Sequence, residues 1–125
     1  MTSTFDITPN LFFSDILEEF EDDVYFYDCE TLAIQFANRA ARCRCGWDVD
    51  TVLQMNISQS SDNFDVDAFW DHVEPLFDNS AQSVRVEVDH DNGPVGIQTR
   101  LGAWYGGRRV FISVLQDLAR QKRME

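Results

Sequence analysis

Few side chains here have both the type and the spacing for chemistry. Cys43-Arg44-Cys45 places two thiols close together, and Cys29 stands apart. A structural zinc site takes about four Cys or His ligands. This pair has no second pair and no neighbouring histidine, so no metal centre is expected. Acid–base work needs a carboxylate or histidine poised in an apolar cavity. His72 and the Tyr27/Asp28 pair are the candidates. His72 lies three positions after Phe69 and four before Leu76, at the flank of an apolar helical stripe, and reads as an exposed or hydrogen-bonded histidine. His90, at a hairpin end, reads as solvated. No spacing joins these groups into an acid–base pair, so the chain is not expected to be an enzyme. Arg85 has the chemistry to reach an anionic ligand, but Glu87 shares its strand face and offers a simpler partner.

The elements that must position these residues are bounded by composition. A chain of 125 residues suits one domain with its own core. Hydrophobic residues make up 44% and aromatics 13%, with ten phenylalanines, which argues for a bulky interior or a pocket. Lys+Arg 10 against Asp+Glu 22 gives a formal charge of -12, which disfavours phosphate backbones and anionic membranes as partners. The odd cysteine count, with no secretory signal and no long apolar run, points to the cytoplasm.

Thr8-Pro9 reads as a helix start after a lead of residues 1–9. Phe12, Phe13, Ile16, Leu17 and Phe20 then follow at helical spacing, and acidic residues end the helix near Glu21. Val24–Tyr27 and Leu32–Ala37 read as paired strands around an Asp28–Thr31 turn. Asn38 caps a helix that Gly46 ends, and Asp48 caps one helical turn to Leu53. Residues 56–65 read as a polar loop. Asp65–Asp78 reads as a helix with Phe69, Val73, Leu76 and Phe77 on one face, and Pro75 is expected to kink it. Three strands follow: Val84–Asp89, Val95–Trp104 and Val110–Gln116. Asp91-Asn92-Gly93 and Gly106-Gly107 supply the turns. The last strand is nearly all apolar and should be central. A polar helix is expected from Leu118 to Glu125. The order predicts an antiparallel α+β domain.

At this level the sequence resembles the PAS, or sensory box, family over residues 10–125. Ile34–Ala41 resembles the second strand running into an Asn-containing helix. Gly46-Trp47 with Val52-Leu53 and Asn56-Ile57 resembles the family's G-Y-x-x-x-E-L-L-G-x-x-I stretch, although Gln54 and Ser80 stand where glycines are common. Asp91–Val95 resembles its D-G turn, and Val114–Glu125 its closing V-x-x-D-I-T-E-R-K-x-x-E. The resemblance implies a five-stranded antiparallel sheet with short helices on one face, cupping a pocket, and the N-terminal amphipathic helix covering the other. It implies a sensory domain over 10–117 and a signalling helix or linker over 118–125, upstream of a histidine kinase or diguanylate cyclase.

Within that resemblance, Phe111, Ser113 and Leu115 fall at pocket-facing positions. With Phe36, Trp70, Val73, Leu101 and Arg85 they are the expected ligand-binding residues, though an open cavity and a filled core fit the sequence equally. Val110, Ile112 and Val114 face the other way. With Phe12, Phe13, Ile16, Leu17 and Phe20 they form the expected face for a homodimer. Ile57 stands where the light-sensing branch carries its cysteine, so a flavin adduct is not expected. His72 lies where haem-binding relatives place the iron ligand, and a haem sensor is the alternative function. A second alternative is a cone-shaped α+β enzyme of the ketosteroid-isomerase type. The primary expectation is a module that binds a small organic ligand or partner, without a tightly bound cofactor.

Overall fold

The computed structural model describes residues 11–61, 64–90, 93–104 and 108–119. Helix α1 (Leu11–Glu18) precedes strands β1 (Asp23–Asp28) and β2 (Ile34–Ala37). Helices α2 (Arg39–Cys45), α3 (Val49–Val52) and α4 (Val66–Phe77) follow, then β3 (Val84–His90), β4 (Gly93–Trp104) and β5 (Arg108–Asp117). The five strands form one sheet in the order β2-β1-β5-β4-β3, and every pairing is antiparallel. The apolar strand β5 is central, as its composition requires. Residues 1–9, the Asp91-Asn92 turn, Gly106-Gly107 and 120–125 lie outside the described residues. Leu118 and Ala119, just after β5, are helical. Among the described residues no helix is long and apolar enough to cross a membrane.

Local chemistry explains most boundaries. Asn38, Asp48 and Asp65 each accept a hydrogen bond from an amide of the first turn of α2, α3 and α4. Gly46, at φ 76°, closes α2 in the left-handed conformation that glycine adopts without strain. Helix α4 runs on through Pro75 as a single element. Helix α1 stops earlier than its apolar spacing suggests. The Glu19 and Phe20 amides bond back to the Ile16 and Leu17 carbonyls at 3.2 Å, a tightened last turn.

Two stretches differ from the sequence expectation. The strand expected from Leu32 begins at Ile34. The Asp28 carboxylate accepts from the Glu30 and Thr31 amides at 2.8 and 2.9 Å, an Asx turn that leaves Leu32 at φ 67° with its side chain buried. The polar loop after Asn56 contains a short 3-10 turn, Ile57–Gln59. Asn56 and Gln59 hold it as a reciprocal capping box, a pattern the sequence displays as Asn-Ile-Ser-Gln.

The core is divided by the sheet. One side packs Tyr25, Tyr27, Phe111 and Leu115 under Ala41, Val52, Ile57, Val73 and Leu76 of the helical side. The other side packs Val24, Phe26 and Val110 with Phe36 and with Leu17 of α1. Helix α1 is tied down at its C-terminal end. Arg42 donates to both Glu18 carboxylate oxygens at 2.9 and 2.6 Å, and the Asn38 amide donates to the Leu17 and Asp22 carbonyls at 2.9 Å.

Candidate functional site

A cavity of about 280 Å³ opens between the sheet, α4 and the residues that precede it. Its floor is Tyr25 and Tyr27 from β1, Ser113 and Leu115 from β5, and Ile97 and Thr99 from β4. Ile57, Phe64, Phe69 and His72 form the wall. Val86, Val88 and Asp89 of the edge strand, with Asp65 and Ala68 opposite, lie exposed around the mouth. The floor follows from strand register. Thr99 and Tyr25 both stand opposite Ser113, on either side of the central strand.

One polar cluster interrupts this apolar floor. The Tyr27 hydroxyl lies 2.7 Å from Ser113 Oγ, which lies 2.8 Å from Thr99 Oγ1, and all three residues are about 2% exposed. Burial pushes the Tyr27 phenol up to about 12, against the opposing pull of Ser113 and Thr99, so it is neutral at physiological pH. On the wall, His72 Nε2 is buried and has no hydrogen-bond partner among the described residues. The arrangement offers three hydroxyls and an imidazole in a mostly apolar cavity, which suits ligand binding.

No protein-family model and no curated protein matches the sequence. Solved structures do match. A PAS domain from Colwellia psychrerythraea superposes with a TM-score of 0.67 at 11% identity, over 86% of this chain and 94% of that one. The PAS domain of nitrogen regulation protein NR(II) from Vibrio parahaemolyticus gives 0.64 at 18%, over 87% and 99%. A domain of a sensory box sensor histidine kinase/response regulator from Geobacter sulfurreducens gives 0.55 at 20%, over 86% and 97%. The chain has the PAS fold.

In this PAS fold the residues singled out from the sequence scatter. Ser113 and Leu115 line the cavity. Trp70, Val73, Leu101 and Phe111 lie on the same side of the sheet but fill the core beside it. Phe111 is ringed there by Tyr27, Phe69, Trp70 and Phe77, with ring centroids 5.4–6.1 Å away. Phe36 does not share the cavity wall. It packs edge-on against Phe26 at 5.5 Å on the opposite side of the sheet and lines a second cleft with Glu18, Arg42 and Leu53. The cause is an irregularity in β1–β2 pairing, where Phe26 pairs with Phe36 but Tyr27 pairs with Ile34. The extra residue sends Ile34 and Phe36 to opposite faces. Arg85 also points away from the cavity. Its guanidinium lies over Gly96, where any Cβ would collide with it, and pairs with Glu87 at 3.5 Å.

The other candidates separate in the same way. Tyr27 and Asp28, being consecutive on a strand, face opposite sides. Burial raises the Asp28 carboxyl, but the Thr31 and Glu30 amides and Arg108 outweigh it and hold the group below its usual range, so it cannot serve as a poised base beside Tyr27. Cys43 is exposed, whereas Cys45 lies 2.9 Å from the Tyr25 hydroxyl, and its thiol is pushed up by burial. Among the described residues no group of three or more His, Cys, Asp or Glu could hold a metal ion. Of the expected dimer face, Val110 is fully buried within the chain and therefore unreachable by a second copy. Leu17, Ile112 and Val114 are half-buried, and Ile16 and Phe20 are exposed. The side chains of Phe12 and Phe13 lie outside the described set.

Sequence reasoning missed most of the cavity lining. The signal for Val86 and Val88 was present, because they alternate with Arg85 and Glu87. Thr99 and Tyr25 gave none, because their place beside Ser113 depends on pairing between distant strands.

Proposed function

We propose that this chain is a cytoplasmic sensory module. It binds a small organic ligand in the cavity and relays occupancy through its terminal helices to an effector, a histidine kinase or a diguanylate cyclase, as a homodimer without catalysis of its own. The cavity is the observation that carries the proposal. It is open at one side, mostly apolar, and carries a few convergent polar atoms, the usual composition of a binding site for a small molecule. It opens onto the edge strand β3, and β3 pairs through β4 to β5, whose end leads into the helical Leu118 and Ala119. A ligand that changes the packing of Leu115 thus acts three positions before Leu118. The likeness to a domain of a sensory box sensor histidine kinase/response regulator supports the same assignment.

Native mass spectrometry of the chain purified from cells tests it. The expected species is a dimer carrying a small-molecule adduct. A bare monomer at high protein concentration counts against both binding and dimerisation.

A further inference from the structure

The chemistry of the cavity narrows the class of ligand. Tyr27, Ser113 and Thr99 form a chain of three hydroxyls joined by two hydrogen bonds. Each hydroxyl carries one proton, so two protons are used within the chain and one remains. Among the described residues no third hydrogen bond takes it up. His72, which also lines the cavity, has its Nε2 buried with no hydrogen-bond partner among the described residues. Buried polar groups are normally paired, and leaving one unpaired is costly.

Charge restricts the ligand further. Among the described residues no lysine or arginine lines the cavity. Arg85, the nearest candidate on β3, is committed to the other face. The acids present, Asp65 and Asp89, stand exposed at the mouth, and the chain carries a formal charge of -12. An anion entering this cavity would lose its hydration without gaining a lysine or arginine counter-ion, which is strongly unfavourable. A cation would meet its carboxylates only at the mouth, not on the floor. The volume, about 280 Å³, sits at the lower edge of the range of roughly 300–1,000 Å³ typical of ligand pockets. It suits one or two fused rings and is too small for a porphyrin.

We propose that the cavity binds an uncharged, mainly apolar molecule of one or two rings, whose hydroxyl or carbonyl accepts the spare proton of the Tyr27–Ser113–Thr99 chain. This rests on the sensory reading above but is more specific than it.

Calorimetric titration with three probes of one ring size tests the class: 2-naphthol, 2-naphthoate and naphthalene. The expected result is one molecule of 2-naphthol per chain, with 2-naphthoate weaker by about tenfold or more. Naphthalene should bind roughly three- to tenfold weaker than the naphthol, the share of one hydrogen bond. The triple variant Tyr27→Phe/Ser113→Ala/Thr99→Val removes the hydroxyl chain as a unit, and its preference for naphthol over naphthalene should shrink. Ala68→Trp narrows the mouth from an exposed position and should weaken all three probes without disturbing the core. Failure of 2-naphthol to bind, naphthoate binding as tightly as naphthol, or an undiminished preference in a folded triple variant would each overturn the proposal. Binding with the expected pattern in a full-length protein whose effector ignores occupancy would count against the sensory role alone.

Discussion

At the scale of single residues, two polar side chains hold more of this structure than their chemistry announces. Asn38 is fully buried, and its side chain makes four hydrogen bonds. Its oxygen accepts from the Val24 and Ala41 amides at 3.0 Å, and its nitrogen donates to the Leu17 and Asp22 carbonyls at 2.9 Å. One residue therefore joins α1, β1 and α2. The sequence shows only its capping role, because the other partners lie 14 or more positions away. Asn38→Asp keeps an acceptor but sets a carboxylate against two carbonyls. Denaturant unfolding should show a loss of about 2–4 kcal/mol. An unchanged midpoint would deny the residue this joining role. Ser113 is the second case. Ser113→Ala strands two buried hydroxyls and should cost about 1–3 kcal/mol. Adding Tyr27→Phe and Thr99→Val should recover much of that loss, because the stranded groups are then absent. If each change instead subtracts independently, the three hydroxyls do not act as a unit.

At the scale of elements, helix α1 is held at its C-terminal end by charge as well as by packing. The Arg42 hydrogen bond holds the Glu18 carboxyl below its usual range, against a smaller opposing effect of burial. A carboxyl whose folded-state pKa is depressed adds stability above its unfolded pKa, and that stability is lost as pH falls through the folded value. The thermal unfolding midpoint should therefore fall as pH drops below about 4.5, the ordinary glutamate value. In Glu18→Gln that fall should be shallower, and an identical slope would show that the ion pair contributes nothing to docking α1. Asp28 acts in the same direction and accounts for part of the remaining slope. Most elements were legible in the sequence because their signals are local. Caps, the glycine stop of α2 and the alternation on β3 and β5 need only neighbouring residues. The start of β2 was not legible, because the Asx turn at Asp28 forces Leu32 into a left-handed backbone that a branched apolar side chain rarely adopts.

At the scale of the whole molecule, a sheet with apolar residues on both faces needs cover on both. The helical side is covered by α2, α3 and α4 around the cavity. The other side is covered in part by Leu17, leaving Ile16 at 43% and Phe20 at 48% exposure. If this face joins two copies, light scattering should report a dimer, and Phe20→Glu or Ile16→Glu should return it to a monomer while leaving circular dichroism unchanged. A wild-type monomer would remove this face from the relay. The sequence by itself determined the order of the elements and the parity of each strand: Phe111, Ser113 and Leu115 on one face, Val110, Ile112 and Val114 on the other. Side chains alternate with a period of two, so parity is a local property. Tertiary structure decided everything that depends on register. It set Thr99 and Tyr25 beside Ser113, turned Phe36 away at an irregular pairing, and committed Arg85 to the face opposite the cavity. It also decided that the cavity stands open. The volume left between a sheet and a helix depends on how side chains from distant segments interlock, and no local pattern encodes that sum.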